Sequence, residues 1–238
     1  MKIIFKMTRT DFEELFTKLG VSIRDESILS RSLIHRSYLN ENKDPSLQSN
    51  EKLEFLGDSV LSLITTHYLY ENYPLLNEGN YTDIKATIVR TESLAIASKN
   101  MGLGKFVVLS KGEEENGGRE NTSILADLFE AILGAIYLSE GFEMSRKFVH
   151  EKLFNTKLDE IIKSNSYVSA KNRLQEYYQE KYRKLPRYTI LAESGPQHER
   201  EYRVGVWDDE VMLAEGVGKS KKTAEEVAAE AALANIKK

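Results

Sequence analysis

The sequence predicts two domains: a mostly α, all-helical N-terminal domain, then a small α+β domain of α-β-β-β-α order. Three observations predict it. Residues 1 to about 160 form a succession of amphipathic helical patterns, several stopped by Gly or Pro. After KSNSYVSA, short runs of β-formers appear, parted by Pro, Gly and Asp. The last stretch, TAEEVAAEAALANIKK, returns to an alanine-rich helical composition. These textures set the expected boundaries at 1–160 for the first domain, 161–167 for a linker and 168–238 for the second.

Six helical patterns fill the first domain in order: FEELFTKLG, ESILSRSLIHRSYL, KLEFLGDSVLSLITTHYLYENYP ended by Pro74, YTDIKATIVRTESLAIASKNMG, SILADLFEAILGAIYLSEG and MSRKFVHEKLFNTKLDEII. Between the fourth and fifth, GLGKFVVLSKGEEENGGRENTS is rich in Gly and charge and reads as a long loop, a length that in compact domains often serves function. The second domain reads as a helix, AKNRLQEYYQEKYR, three strands, RYTILAES, EYRVGVW and VMLAEGVG, and the closing helix.

Composition bounds the chemistry. With 238 residues, 41% hydrophobic and 29% charged, the chain has the make-up of a soluble globular protein. It has no cysteine, so disulfides, thiolate zinc sites and cysteine nucleophiles are excluded. The uncharged stretches 59–70 and 131–139 fall short of the roughly 20 apolar residues of a spanning helix, and no membrane span is expected. Charges enter MKIIFKMTRTDFEE before an export signal can develop, so the expected location is cytoplasmic. The net charge is −4; from Asn165 onward 13 Lys plus Arg face 12 Asp plus Glu, a net of +1, which leaves −5 for the residues before. A nucleic-acid partner must therefore be argued from local clusters.

The first cluster is acidic. On a helical wheel with Glu51 at zero, Glu54 falls at about −60° and Asp58 at about −20°, one narrow stripe. Leu53, Leu56, Val60, Leu63 and Ile64 gather on the opposite side, the expected core, at about 120° to 220°. Phe55, at about 40°, sits beside the acids and away from the other apolar residues. A second pair, Asp127 and Glu130, lies on one face of a helix so apolar that it must be largely buried. Gly134 continues that face and lets another helix or a ligand approach closely. Should the two helices face each other, up to five acids converge. Such a cluster raises pKa values or binds cations, and oxygen-only ligation suits Mg²⁺ or Mn²⁺. Plainer readings stay open: a solvated face for Glu51, and a cap or buried ion pair for Asp127 and Glu130. A ferritin-like di-iron centre is not expected, since none of His35, His67, His150 or His198 follows a Glu by three. Neither a Gly-x-Ser-x-Gly nor a P-loop pattern occurs.

NEKLEFLGDSVL resembles the signature of the ribonuclease III family, and LIHRSYLNEN, GLGKFVVLSKGEE and GGRENTSILADLFEAILGAIYL resemble that family in the same order. The resemblance implies that Glu54, Asp127 and Glu130 ligate metal, that Asp58 and Glu130 are the catalytic pair and that Glu51 is a supporting acid. It implies that Phe55 inserts into the partner subunit of a homodimer. The implied reaction is endonucleolytic hydrolysis of double-stranded RNA by Mg²⁺-activated water, with Mn²⁺ able to substitute and no organic cofactor. Products would carry 5′-phosphate and 3′-hydroxyl ends with short 3′ overhangs, and ribosomal RNA precursors and other structured transcripts are the implied substrates. Arg119 and Ser123 are candidates to meet the scissile phosphate. Tyr81 stands where many relatives carry Leu, away from the acids.

RLQEYYQ, GPQH and GVGKSKKTAEEVAAEAAL resemble a double-stranded-RNA-binding domain. The resemblance implies minor-groove contacts by Gln175 and His198, with Asn172 a weaker candidate. Lys219, Lys221 and Lys222 can also be read physically: cations before a helix oppose its dipole, and an arriving phosphate resolves the conflict. A duplex-binding protein that shields RNA without cutting remains the alternative. Single-stranded nucleic acid fits less well, because the expected contacts are Gln, His and Lys rather than aromatic stacking platforms.

Overall fold

The computed structural model describes residues 7–155, 158, 167–196 and 200–236. The chain divides into two compact units, Met1–Ser164 and Asn165–Lys238.

The first unit is helical. α1 (Arg9–Leu19) starts at a capping box between Thr8 and Asp11 and ends at Gly20 in the left-handed region. α2 (Glu26–Ser32) starts at Asp25, whose side chain accepts from the Ser27 and Ile28 amides. α3 (Arg36–Glu41), α4 (Glu51–Asn72), α5 (Glu78–Ile88) and α6 (Thr91–Met101) follow. Two patterns expected to be single helices are broken. ESILSRSLIHRSYL divides into α2 and α3 because Ile34 pairs with Val108 as an isolated parallel bridge, and its backbone must extend to do so. YTDIKATIVRTESLAIASKNMG divides into α5 and α6 at Arg90, which is extended.

The Gly-rich segment after α6 is more ordered than a loop. It carries a 3₁₀ turn at Leu103–Lys105, the short α7 (Lys111–Glu115) and a second 3₁₀ turn at Gly118–Glu120. Arg119 organises it, with Nη1 donating to the carbonyls of Gly104, Lys105 and Val107 and Nε donating to Glu114 at 2.7 Å. α8 (Thr122–Glu140) begins at Asn121, whose side chain accepts from the Ser123 and Ile124 amides. α9 (Phe142–Val149) runs on into a π-helical turn, His150–Phe154.

α8 is the central helix, packed by α2, α4, α6 and α9. Leu125, Leu128, Phe129, Ile132, Leu133 and Ile136 are fully enclosed. By length and apolarity alone α8 could cross a membrane; here that apolar surface is spent on the domain core. Where α8 crosses α4 the backbones touch. A Cβ on Gly57 would overlap the Glu130 carbonyl, and one on Gly134 would overlap the Leu53 carbonyl. Gly134 thus admits a helix, one of the two partners its position allowed.

The α4 wheel needs one correction. Leu53, Val60 and Ile64 are buried and Leu56 is half-buried, but Leu63 is 57% exposed. The buried arc is centred on Gly57 and Leu61, rotated toward the α8 crossing, which leaves Leu63 outside it.

In the second unit, α10 (Ala170–Tyr182) and α11 (Lys221–Ile236) cover one face of an antiparallel sheet ordered β1 (Arg187–Ser194), β2 (Glu201–Asp208), β3 (Val211–Gly218). Its core joins Leu174 and Tyr178 of α10, Val206 of β2 and Ala228, Ala229 and Ala232 of α11. The alanines keep α11 close to the sheet. β2 pairs with β3 around a two-residue turn, with Asp209 at φ 51° and Lys184 bonded to its carboxylate at 2.7 Å.

Because both glycines at the α4–α8 crossing abut backbone, Gly57→Ala or Gly134→Ala should destabilise the first unit by roughly 3 kcal/mol or more. Thermal unfolding followed by circular dichroism checks this, and a shift below about 1 kcal/mol would mean that the helices can separate without cost.

Candidate metal centre

The crossing brings three acids to one point. One carboxylate oxygen from each of Glu54, Asp127 and Glu130 lies within 4.8 Å of the others, and all three residues are half-buried. Opposite ligands of one octahedral Mg²⁺ stand about 4.2 Å apart, so the spacing and the oxygen-only donor set fit a single hard divalent cation. Asp58 and Glu51 flank this triad from exposed positions. Five acids therefore share the region, but three form its centre.

The electrostatics match the geometry. Burial, then the charges of Asp58, Glu54 and Asp127, pushes the Glu130 carboxyl up to about 8. Burial likewise raises Glu54, with Asp127 and Glu51 adding to it. Burial raises Asp127 too, against a downward pull from His35 and Arg36. The ionised forms of these carboxylates are thus disfavoured at the crossing, and a divalent cation would restore them.

An open cleft of about 720 Å³ leads to the triad, lined by Glu54 and Asp127 together with His35, Arg36, Asn50 and Ser123. Ser123 is thus at the site. Arg119 does not line this cleft; its guanidinium donates to the carbonyls and carboxylate named above and builds the segment before α8. Glu51 accepts from Ser49 Oγ at 2.7 Å and lies 3.9 Å from the Arg36 guanidinium. That partner comes from α3, and the i, i+4 spacing within α4 gives no hint of it.

Phe55 is 79% exposed, and Leu63 and Tyr70 join it on the same side of α4 at 57% and 72%. Such a run of large apolar side chains facing solvent marks a contact surface. The sequence pointed to Phe55 alone; Leu63 and Tyr70, eight and fifteen residues on, carry the periodicity that signals the rest.

In the second unit, Lys171 of α10 donates to Glu225 of α11 at 2.5 Å, which places the first turns of the two helices side by side. Asn172 is exposed and Gln175 half-buried near that end of α10. Lys219, Lys221 and Lys222 are exposed, and α11 starts at Lys221, so two of the three lysines are in its first turn rather than before it. Ser220 caps the helix by accepting from the Thr223 amide. Lys221 lies 3.9 Å from Glu193 and over the Tyr202 ring. His198 lies outside the described residues.

Comparison with known proteins places both units. Residues 25–157 match the model of the Ribonuclease-III-like family, and 170–236 match the double-stranded RNA binding motif. Over 225 residues the chain is 40% identical to Ribonuclease 3 of Chloroflexus aggregans, covering 94% of this chain and 96% of that one. It is 41% identical over 222 residues to Ribonuclease 3 of Lactococcus lactis subsp. cremoris, covering 93% and 95%. Among solved structures, the nuclease domain of ribonuclease III from Campylobacter jejuni is similar at a TM-score of 0.57 and 36% identity, covering 61% of this chain and 98% of that one.

The raised Glu130 predicts a pH dependence. The stability contributed by its protonated form is complete below the ordinary 4.5 and is lost as pH rises toward about 8. Without divalent cations, Glu130→Gln should therefore leave stability little changed near pH 5 and raise it at pH 8 by on the order of 1 kcal/mol. Mg²⁺ should stabilise the wild type more at pH 8 than at pH 6. Chemical unfolding with and without Mg²⁺ at both pH values reads this; equal behaviour of wild type and variant at pH 8 contradicts it.

Proposed function

This chain belongs to the ribonuclease III family, and on that premise we propose that its α4–α8 carboxylate triad is the metal centre of an endonuclease acting on double-stranded RNA. The chain is an endoribonuclease with a double-stranded-RNA-binding domain. The observation that carries the site assignment is the convergence of half-buried Glu54, Asp127 and Glu130 with their raised pKa values.

In this reading Glu54, Asp127 and Glu130 would hold Mg²⁺, or Mn²⁺ in its place. The cation, when bound, supplies Lewis-acid stabilisation of the charge that develops on the phosphate and makes water more acidic. Glu130 both ligates and, with Asp58 on the exposed side, orients the attacking water in line with the scissile bond. Glu51, held by Ser49 and Arg36, supports substrate placement at the rim. Ser123 lines the cleft, which supports a contact with the strand. Hydrolysis leaves 5′-phosphate and 3′-hydroxyl ends with short 3′ overhangs, the products expected when two sites each cut one strand.

Two sites require two copies. The exposed Phe55, Leu63 and Tyr70 face of α4 supports a homodimer, and the similar Campylobacter jejuni nuclease domain has a region involved in dimer formation. In the second unit, Asn172, Gln175 and His198 reach the minor groove, and Lys219, Lys221 and Lys222 take phosphates at the start of α11. The work this suits is processing of ribosomal RNA precursors and other structured transcripts in the cytoplasm.

With a long RNA duplex and Mg²⁺, the wild-type chain should cut and Glu130→Gln should lose at least about 10³-fold in rate while still binding the duplex. An intact duplex after incubation with the wild type, or equal cutting by the variant, would sink the reading and leave an RNA shield in its place. Phe55→Asp should shift the sedimenting species from dimer to monomer, and a variant that stays dimeric removes Phe55 from the interface. Changing Lys221 and Lys222 together to Ala should weaken duplex binding and reduce the salt slope by about 1 for each phosphate left without its lysine; an unchanged slope excludes them as phosphate ligands.

A further inference from the structure

The cleft beside the carboxylate triad is lined by two side chains with unspent hydrogen-bonding groups. His35 lies at the start of α3, where its Nδ1 accepts from the Ser37 amide at 3.3 Å and stands 2.8 Å from Ser37 Oγ. An amide nitrogen can only donate, so Nδ1 is the acceptor and the neutral ring carries its hydrogen on Nε2. Nε2 lies on the other side of the ring from that cap, the ring lines the cleft, and no hydrogen bond engages Nε2 among the described residues. Asn50 lines the same cleft at 3% exposed, and its side chain makes no capping bond to α4, at whose start it stands.

Both are rigidly placed. His35 N donates to Val108 O at 3.0 Å, Val108 N to Leu33 O at 2.8 Å, and Asn50 N to Ile34 O at 2.8 Å. Ser110 N donates to Ser37 Oγ at 3.1 Å, which fixes the hydroxyl beside the imidazole. The segment 33–37 is thus strapped between residues 108–110 and the first residue before α4. The Asn50 amide makes no capping bond and lines the cleft, so its hydrogen-bonding groups are free for a ligand there.

The chemistry of the ligand follows from what lines the cleft. Arg36 also lines this cleft, and its charge pairs with Glu51 at 3.9 Å and pulls on Glu54 and Asp127. Fixed neutral donors add no such pull, yet still bond the oxygens of an anion that arrives with the cation in place. Resting on the nuclease reading above, we propose that His35 Nε2 and the Asn50 amide grip phosphate oxygens of the bound RNA strand, holding it in the cleft beside the triad. His35 and Asn50 then set the strand's position without entering the cation's charge balance.

Two His35 variants separate this from a capping role. Asn places an acceptor where Nδ1 stands and nothing where Nε2 stands; Gln does the reverse. His35→Asn should keep the wild-type melting temperature and Mg²⁺ affinity by calorimetry, yet lose about 10- to 100-fold in kcat/KM on duplex RNA, the scale of one bond to a charged group. His35→Gln should melt a few degrees lower but, assayed well below that temperature, cut within about 3-fold of wild type. Asn50→Asp, near-isosteric, should weaken duplex binding in Ca²⁺ about 10-fold by facing a phosphate with a carboxylate. His35→Asn cutting as fast as wild type, or His35→Gln losing as much as His35→Asn while folded, overturns the proposal. A wild type that leaves the duplex whole sinks the nuclease reading instead; duplex binding in Ca²⁺ by wild type against His35→Asn then still decides the His35 contact, equal affinity overturning it.

Discussion

The site depends on a backbone-to-backbone crossing. Gly57 on α4 sits against the Glu130 carbonyl and Gly134 on α8 against the Leu53 carbonyl, so the two helices approach as closely as main chains allow. Each glycine is one helical turn from the acids it serves: Gly57 between Glu54 and Asp58, Gly134 four residues after Glu130. The close approach brings carboxylates from two helices within a cation's reach. It also seals their inner side with core leucines and isoleucines, which makes their charges expensive. Packing and chemistry are therefore the same constraint, and the repulsion among the acids is what a divalent ion bound there would relieve.

A rigid α4 carries three separate interactions at fixed angles. Leu53, Val60, Leu61 and Ile64 anchor it to the core; Glu54 faces the triad; Phe55, Leu63 and Tyr70 face outward. Since one helix holds the acids and the proposed subunit contact, the position of a partner copy is locked to the position of the metal site. Two centres on a dimer would then keep a constant separation, a requirement for cutting both strands of a duplex at a set offset.

Much of this was legible in the sequence. The acid stripe, the second acidic pair and the odd aromatic followed from helical period, and the α-β-β-β-α order from β-formers between turn residues. What was not legible came from tertiary partners. The break of the second helical pattern at Ile34 needs Val108, which is 74 positions away in sequence and becomes a neighbour only on folding. Leu63 read as core because period alone does not say how far the buried arc is rotated, and the glycine crossing turns it away. The part Arg119 plays in building the segment before α8 was hidden because the three carbonyls it serves come from a segment that looked structureless. Arg36 and His35 stood in a quoted motif, yet nothing local ties either to the acids on α4 and α8.

The separation of the two units has an electrostatic reason. Duplex RNA is a dense polyanion, and the helical unit carries both the excess of negative charge and an acid cluster at its cleft. Without a cation such a cleft repels its own substrate. Lysines placed in it would relieve the repulsion, but each would pair with a carboxylate and compete with the cation; Arg36, which lines the cleft, already stands 3.9 Å from Glu51. Exposed Lys219, Lys221 and Lys222 gather instead at a helix start in the second unit, where the dipole and the lysines both favour an anion. Under the proposed function, affinity would then be strong and salt-dependent in one domain, while the other would bind the strand once its cation is present.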